Sequence, residues 1–334
     1  MSATTTAAGP TLAPASGSSY AQRAINYTII LGEGSFGTGG ANTVTLPAGL
    51  RSNVSINKAV APSMDVAVAN IYGVPQTIMS QVTTLGALKP YARNNQIVIQ
   101  AGDSVTGVST VHQGAIQAAW QELDGTPETY LTVSSFSGRF AAMQPTKPTS
   151  YPGSADVATI ISGLALQVQP TPRAFHNNGV QVQLANPYFA GTPLEQAQSC
   201  ARAAGIQFYD DGATWFIWPQ FNSRLPLTAT VSSPGVASTS STITPPGGNS
   251  SNPLISPASG LLLYPKYESA AMRFRCLYNP NIQAFGYITM QSSIIQANGL
   301  WIVKTLALSL SAQMPNGPWF CDVECFRPPT GQNT

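Results

Sequence analysis

Along most of this chain, apolar residues recur at every second position in short runs cut off by Gly, Pro, Asn or Asp. Val54 and Ile56 alternate with Ser and Asn, Val66 and Val68 lead to Tyr72, and Met272, Phe274, Cys276 and Tyr278 alternate with Arg273, Arg275 and Leu277. A period of two is the signature of a half-buried strand, because successive side chains leave a pleated backbone on opposite faces. Runs this short, punctuated this often, build antiparallel barrels or sandwiches. Charge is scarce at 8% of residues, against about 25% in ordinary soluble proteins. Hydrophobic residues stand at 43%, so a full core can be built and disorder driven by charge does not fit.

The strands are expected at Asn26 to Leu31, Thr43 to Leu46, Gln96 to Ala101, Gly107 to Trp120 and Thr129 to Phe136. One short helix interrupts them, from Pro75 to Leu85, with Ile78, Met79, Val82 and Leu85 on one face. The Pro/Thr/Ser-rich stretch Pro145 to Pro152 marks a boundary, beyond which the pattern becomes mixed. Ala155 to Gln167 carries a helical stripe, and Val180, Val182 and Leu184 alternate as a strand. A second helix has its ends written into the sequence: Thr192 as N-cap, Pro193 in the first turn, Glu195 completing a capping box and Gly205 as a left-handed stop. A hairpin turning at Asp211-Gly212 joins Ile206–Tyr209 to Thr214–Trp218. No charged residue occurs from Leu225 to Pro265, and its Ser/Thr/Pro/Gly middle, Ser232 to Gly260, reads as a long exposed loop. Strands resume with Leu300 to Leu310, where Lys304 interrupts the alternation of Ile302, Leu306 and Leu308, and end with Trp319 to Phe326.

The expected architecture is mainly β with a small α/β part. Residues 1–23 form a flexible arm, 24–144 a first antiparallel barrel, 145–224 a small α+β domain, and 225–330 a second barrel carrying the loop near 232–260. The two barrels flank or enclose the α+β domain. Met1 to Gln22 has neither the basic start nor the apolar block of a secretory leader, and no apolar run is long enough to span a bilayer. A soluble protein made in the cytoplasm, with no membrane partner, is expected. A net charge of +2 with no Lys/Arg run does not suit a general nucleic-acid binder.

The residues that could carry chemistry are few. Cys321 and Cys325 point to one face of a strand about 13 Å apart at ~3.3 Å per residue, too far for a disulfide. With Cys200 and Cys276 they read as buried structural thiols. Gly32-Glu33-Gly34-Ser35-Phe36-Gly37 matches the glycine-rich loop of protein kinases, and Lys89 could imitate the phosphate-pairing lysine. No His-Arg-Asp or Asp-Phe-Gly follows, so a glycine-demanding turn explains the loop. His112 in a strand and His176 in a Pro-flanked loop would have to supply all base chemistry of a triad, and no nucleophile elbow accompanies them. Asp210-Asp211 is the one adjacent acidic pair, at a hairpin turn where Asp stabilises the bend. Trp215, Trp218, Trp301 and Trp319 invite a sugar-stacking platform, with core packing as the alternative. No catalytic, cofactor-binding or metal-ligating residue is assigned, and no cofactor is expected.

Segments in chain order resemble the baseplate hub protein of tailed bacteriophages. Leu50-Arg51-Ser52-Asn53-Val54-Ser55-Ile56-Asn57-Lys58 and Met64-Asp65-Val66-Ala67-Val68-Ala69-Asn70-Ile71-Tyr72-Gly73-Val74 are similar to the opening of that family's first tube domain. Val98-Ile99-Gln100-Ala101-Gly102 resembles its "Ala-Gly-Tyr" strand, with Asp103 in place of Tyr. His112-Gln113-Gly114-Ala115-Ile116 resembles "Phe-x-Gly-x-Ile", with His112 in place of Phe. Val157 to Leu164 and Thr192 to Tyr209 look like the family's two helices before a hairpin exit at Trp218-Pro219. Gly260-Leu261-Leu262-Leu263-Tyr264-Pro265 and Leu277-Tyr278-Asn279-Pro280 resemble the entry to its second tube domain. The resemblance spans roughly Ile25 to Phe326. It implies two like-folded tube domains in one chain, so that a homotrimer presents six similar faces between a six-fold tail tube and a three-fold spike. The implied partners are the tail-tube protein, the central spike and other baseplate proteins. The resemblance also implies that genomic DNA passes through the lumen without specific binding. The protein would reside in the virion tail tip after assembly in the bacterial cytoplasm. Low surface charge suits broad interfaces, because few charges need desolvating. A glycan-binding tail module is the alternative reading, and a cell-wall hydrolase a third.

Overall fold

The computed structural model describes residues 22–37, 40–47, 49–59, 62–83, 94–104, 107–122, 129–225, 252–268 and 271–328. The arm expected over 1–23, apart from its last two residues, and the loop as far as 251 lie outside them, as does Lys89.

The first β-rich block contains β1 (Arg23–Ile30), β2 (Thr43–Thr45), β3 (Ser52–Lys58), β4 (Val66–Tyr72), helix α1 (Gln76–Val82), β5 (Gln96–Asp103), β6 (Gly107–Glu122) and β7 (Tyr130–Phe136). The central block begins with a short helix that the sequence reading missed, α2 (Arg139–Met143), and β8 (Thr149–Ser150). It continues with β9 (Ser154–Asp156), α3 (Val157–Gln167), β10 (Ala174–Asn177), β11 (Gln183–Ala185), β12 (Tyr188–Phe189), α4 (Pro193–Ala204), β13 (Ile206–Asp210) and β14 (Thr214–Pro219). The last block holds β15 (Leu254–Ile255), β16 (Lys266–Glu268), β17 (Ala271–Leu277), β18 (Tyr287–Met290), β19 (Gly299–Ala312) and β20 (Trp319–Phe326).

The fold class is as expected, mainly β with a small α/β part, but the two β-rich blocks share one sheet. Its strands run in the order β16-β17-β20-β19-β3-β4-β7-β6-β5-β1-β2, with β18 on β19 and β15 on β18. The joint is made by β19, whose first residues pair with β18 (Tyr287↔Ile302 to Met290↔Gly299) and whose later residues pair with β3 (Leu306↔Lys58 to Ala312↔Ser52). Val54, Ile56, Leu308 and Leu310 are all buried along this joint. Each such side chain contributes on the order of 1.5–3 kcal/mol when fully removed from water. A single hydrophobic core runs under both blocks, from Ile25 and Ile29 through Ile56 and Ile71 to Leu308, Val323 and Cys325.

The central block has its own core, in which α3 and α4 cover the sheet β10-β14-β13. Asp156 caps α3 by accepting the Thr159 N–H at 2.9 Å, so that helix starts two residues later than the stripe suggested. The strand expected through Val180 is shorter, because the Asn177 side chain bridges the Val180 N–H and C=O in a turn. The described end of the Ser232–Gly260 tract is also structured rather than looped out. Leu254–Ile255 pairs in parallel with β18, Ile255 is buried, and Ser256 caps a 3-10 turn over Pro257–Ser259.

Candidate assembly surface

The two β-rich blocks repeat one strand plan. Neighbours run β3-β4-β7-β6-β5 in the first and β16-β17-β20-β19-β18 in the second. Registers correspond residue for residue: Tyr72 of β4 lies opposite Tyr130 of β7, and Leu277 of β17 lies opposite Phe320 of β20. Pro75 and Pro280 follow at the same distance beyond Tyr72 and Leu277. Ala115 faces Gln96 on one side and Phe136 on the other, as Ile302 faces Tyr287 and Phe326. One residue further on, the Ile116 N–H donates to the Asn95 carbonyl at 2.8 Å and the Val303 N–H to the Gly286 carbonyl at 3.0 Å. Both long strands then carry a bulge at the matching place, between Ile116 and Ala118 in β6 and between Val303 and Thr305 in β19. A bulge puts two residues opposite one and locally bends the strand. Lys304, the residue that broke the alternation in the sequence, is the one bulged out.

The face of the sheet opposite the core is polar at the joint, and beside it three cations share two carboxylates. Asn53, Ser55, Asn57 and Ser309 project from the joint. Beside them Arg275 grips Asp322 with two hydrogen bonds of 2.7 and 2.9 Å. Glu324 accepts from Arg273 at 3.1 Å and from Lys304 at 2.8 Å, and those cations hold its carboxyl below the usual range.

Other charges are spent inside, where the central block sits on the sheet. Tyr209 donates a short hydrogen bond to Asp65, which also accepts from the Ala59 N–H at 3.2 Å. Burial pushes the Asp65 carboxyl up to about 7, against the opposing pull of Lys58. Asp210, beside Arg173 at 3.6 Å, is pushed by burial up to about 6. Arg224 lies 4.3 Å from the Phe216 ring centroid, donates through Nη2 to Gln283 at 2.8 Å and through its backbone N–H to the Phe285 carbonyl at 2.8 Å. These residues tie the first block, the central block and the last block at one place.

The residues weighed for chemistry are not brought together. His112 is buried with Nε2 2.7 Å from Ser135 Oγ, and burial lowers its pKa to about 3, so the ring stays neutral. His176 packs edge-on against Phe216 in the central block. Asp211 closes its turn by accepting the Ala213 and Thr214 N–H groups at 2.9 and 2.7 Å, the role expected of it. All four cysteines are free and buried, with Cys276 directly opposite Cys321. Their hydrogen bond and burial raise the Cys276 thiol, and burial raises Cys200 to about 12 and also raises Cys325. The loop Gly32 to Gly37 is the β1–β2 turn, closed by the Phe36 N–H on the Ala41 carbonyl at 2.9 Å, with Gly34 and Gly37 at positive φ. Trp215, Trp218 and Trp301 are buried in the cores and offer no face to a sugar, while Trp319 packs against Tyr278 and Arg23. A cleft of about 390 Å³ beside α2 has Arg139 as its charged lining residue. Among the described residues no three potential metal ligands cluster, and no helix is long and apolar enough to cross a membrane.

No known protein family's sequence pattern matches the chain, and no curated protein matches it in sequence. Solved structures do. The tail protein from Neisseria meningitidis MC58 superposes with a TM-score of 0.55 over 91% of this chain and 96% of that one, at 9% identity. The 43 kDa tail protein of prophage MuSo2 from Shewanella oneidensis gives 0.53 over 91% and 97%, at 8% identity. The E. coli c3393 protein gives 0.55 over 84% and 74%, at 8% identity. It is described as a type VI secretion component structurally similar to the T4 phage tail proteins gp27 and gp5. The chain therefore has the fold of phage tail proteins, one that a component of the type VI secretion system also carries.

Proposed function

We propose that the protein is a structural component of a phage virion, the baseplate hub that joins a six-fold tail tube to a three-fold spike. The observation that carries this reading is the repeat within one chain. Two like-built strand units, joined edge to edge through β3 and β19, make one chain count as two positions around a ring. Three chains then present six similar units to a tube while keeping three-fold symmetry toward a spike. A cyclic homo-oligomer of this kind needs a head-to-tail interface that closes.

The polar face of the sheet suits a channel wall. Its three cations, Arg273, Arg275 and Lys304, all lie at hydrogen-bonding distance from Asp322 or Glu324, so this cluster keeps a single net positive charge and would hold passing DNA only weakly. The protein acts in this reading without a catalytic site or cofactor, at the tail tip of a virion assembled in the bacterial cytoplasm. Native mass is the test, taken alone and with the tail-tube and spike proteins of the same virion. Assembly at three times the chain's 35.0 kDa supports the hub. A chain that stays single with every tail protein overturns it.

A further inference from the structure

The joint inside the chain specifies a second joint that the single chain leaves unmade. Within the chain, Ala307, Leu308 and Ser309 of β19 lie opposite Asn57, Ile56 and Ser55 of β3. The counterparts of the β19 residues follow from their neighbours on the other side. Ala307, Leu308 and Ser309 face Asp322, Cys321 and Phe320, just as Trp120, Gln121 and Glu122 face Thr132, Leu131 and Tyr130. The counterparts of the β3 residues follow in the same way. Asn57, Ile56 and Ser55 face Val66, Ala67 and Val68, just as Glu268, Tyr267 and Lys266 face Ala271, Met272 and Arg273.

Among the described strands neither counterpart segment has a partner on its second side, although the Gln121 side chain bonds that of Gln76 on α1. Strand β16 ends the strand order with β17 as its one neighbour, and Trp120–Glu122 are flanked in the described sheet by β7. They lie in the first and last blocks and do not pair with each other within the chain. An unpaired strand edge is a template for another strand. Tyr267, the counterpart of the fully buried Ile56, is 41% exposed, and it follows Leu263 and Tyr264, exposed at 63% and 73%. An apolar stretch left open beside a free edge marks a contact surface.

Resting on the ring reading above, we propose that β6 of one copy pairs antiparallel with β16 of the next, in the register Trp120↔Glu268, Gln121↔Tyr267 and Glu122↔Lys266. The occupant of each edge is a second copy of this chain. Charge selects it: the register places the Glu122 carboxylate directly across from the Lys266 ammonium, and opposite charges at facing positions favour a ladder. In the single chain the Trp120 indole N–H bonds Glu122, which fixes that carboxylate along the edge. The contact is head-to-tail, so each copy offers one β6 edge and one β16 edge, and a ring leaves none unused.

The full-length double variant Glu122→Cys/Lys266→Cys tests it under mild oxidation, run on a non-reducing gel beside both single variants. Facing residues of an antiparallel pair bring their Cβ atoms within reach of a disulfide. Linked dimers and closed trimers from the double variant alone, and no more than dimers from a mixture of the two singles, are the expected result. The native cysteines are buried and do not compete. Native mass of the untreated chain, alone and with tail-tube and spike proteins added, is read in parallel. Trimers without cross-links overturn the register and leave the hub standing, whereas a chain that never assembles overturns both. The charge pair supplies a second readout: Glu122→Lys loses the trimer and Glu122→Lys/Lys266→Glu regains it. If the swap does not restore assembly, the ion pair is not what faces across the edge.

Discussion

Charge is rare in this protein, and where it is buried it sets how stability depends on pH. Asp65 and Asp210 have carboxyls raised by burial to about 7 and about 6, while an unfolded Asp titrates near 3.9. Between those limits the folded chain holds protons that the unfolded chain has already lost. Stability then falls as pH rises through the window from about 4 to about 7, because the unfolded state binds fewer protons. The groups facing Asp65 are Lys58, whose ammonium is itself lowered by burial, Tyr209 and Asp211. His112 opposes this on the acid side, because burial keeps its ring neutral while an unfolded His charges below about 6.5, so the thermal midpoint is expected to fall from pH 6.5 to pH 8. Asp65→Asn keeps an oxygen to accept from Tyr209 and removes the titration, so it should flatten that slope. A midpoint that rises from pH 6.5 to pH 8 would refute the assignment.

At the scale of single elements, the close approach of the β13–β14 hairpin to β6 decides how the central block seats. Gly212 has φ +93°, and a Cβ there would stand 1.9 Å from the Gln113 carbonyl oxygen. Gly212→Ala therefore cannot be absorbed by a side-chain rotation. It should cost about 1–3 kcal/mol in strain, read as a lower urea midpoint at unchanged slope. The hairpin itself was legible from Asp211-Gly212, and α4 was legible from Thr192, Glu195 and Gly205. The structure has that capping box, with Thr192 Oγ1 accepting from the Glu195 N–H and Glu195 accepting from the Thr192 N–H. Those signals are local, so sequence carries them whole. Elements fixed by distant partners left weaker traces. The two-residue strands β8, β12 and β15 exist because a neighbour supplies the other half of each ladder. Lys304 showed as a break in alternation, but only the ladder with β20 identifies it as a bulge.

The least legible feature is the one that organises the whole molecule. Alternation in β3 and β19 predicts two half-buried strands and says nothing about whether each closes its own barrel or joins the other. The joint pairs residues as far apart as Ser52 and Ala312, and Val54 and Leu310 meet there in a core common to both blocks. The candidate assembly edges were invisible for the same reason, since they emerge only when two registers are laid side by side. A shared core has a measurable consequence. Leu308 is buried at the joint opposite Ile56, and Leu308→Ala should cost about 2–5 kcal/mol through lost burial and the cavity left behind. Because the sheet and its core are continuous, that loss should lower the stability of both blocks together. Indole fluorescence samples the first block through Trp120, the central block through Trp215 and Trp218, and the last block through Trp301 and Trp319. Single-tryptophan variants should give coincident urea transitions for Trp120 and Trp301, each shifted equally by Leu308→Ala, as two-state unfolding requires. If the Trp301 transition moves while the Trp120 transition stays, the blocks fold as separate barrels and the continuous sheet is a contact between finished domains.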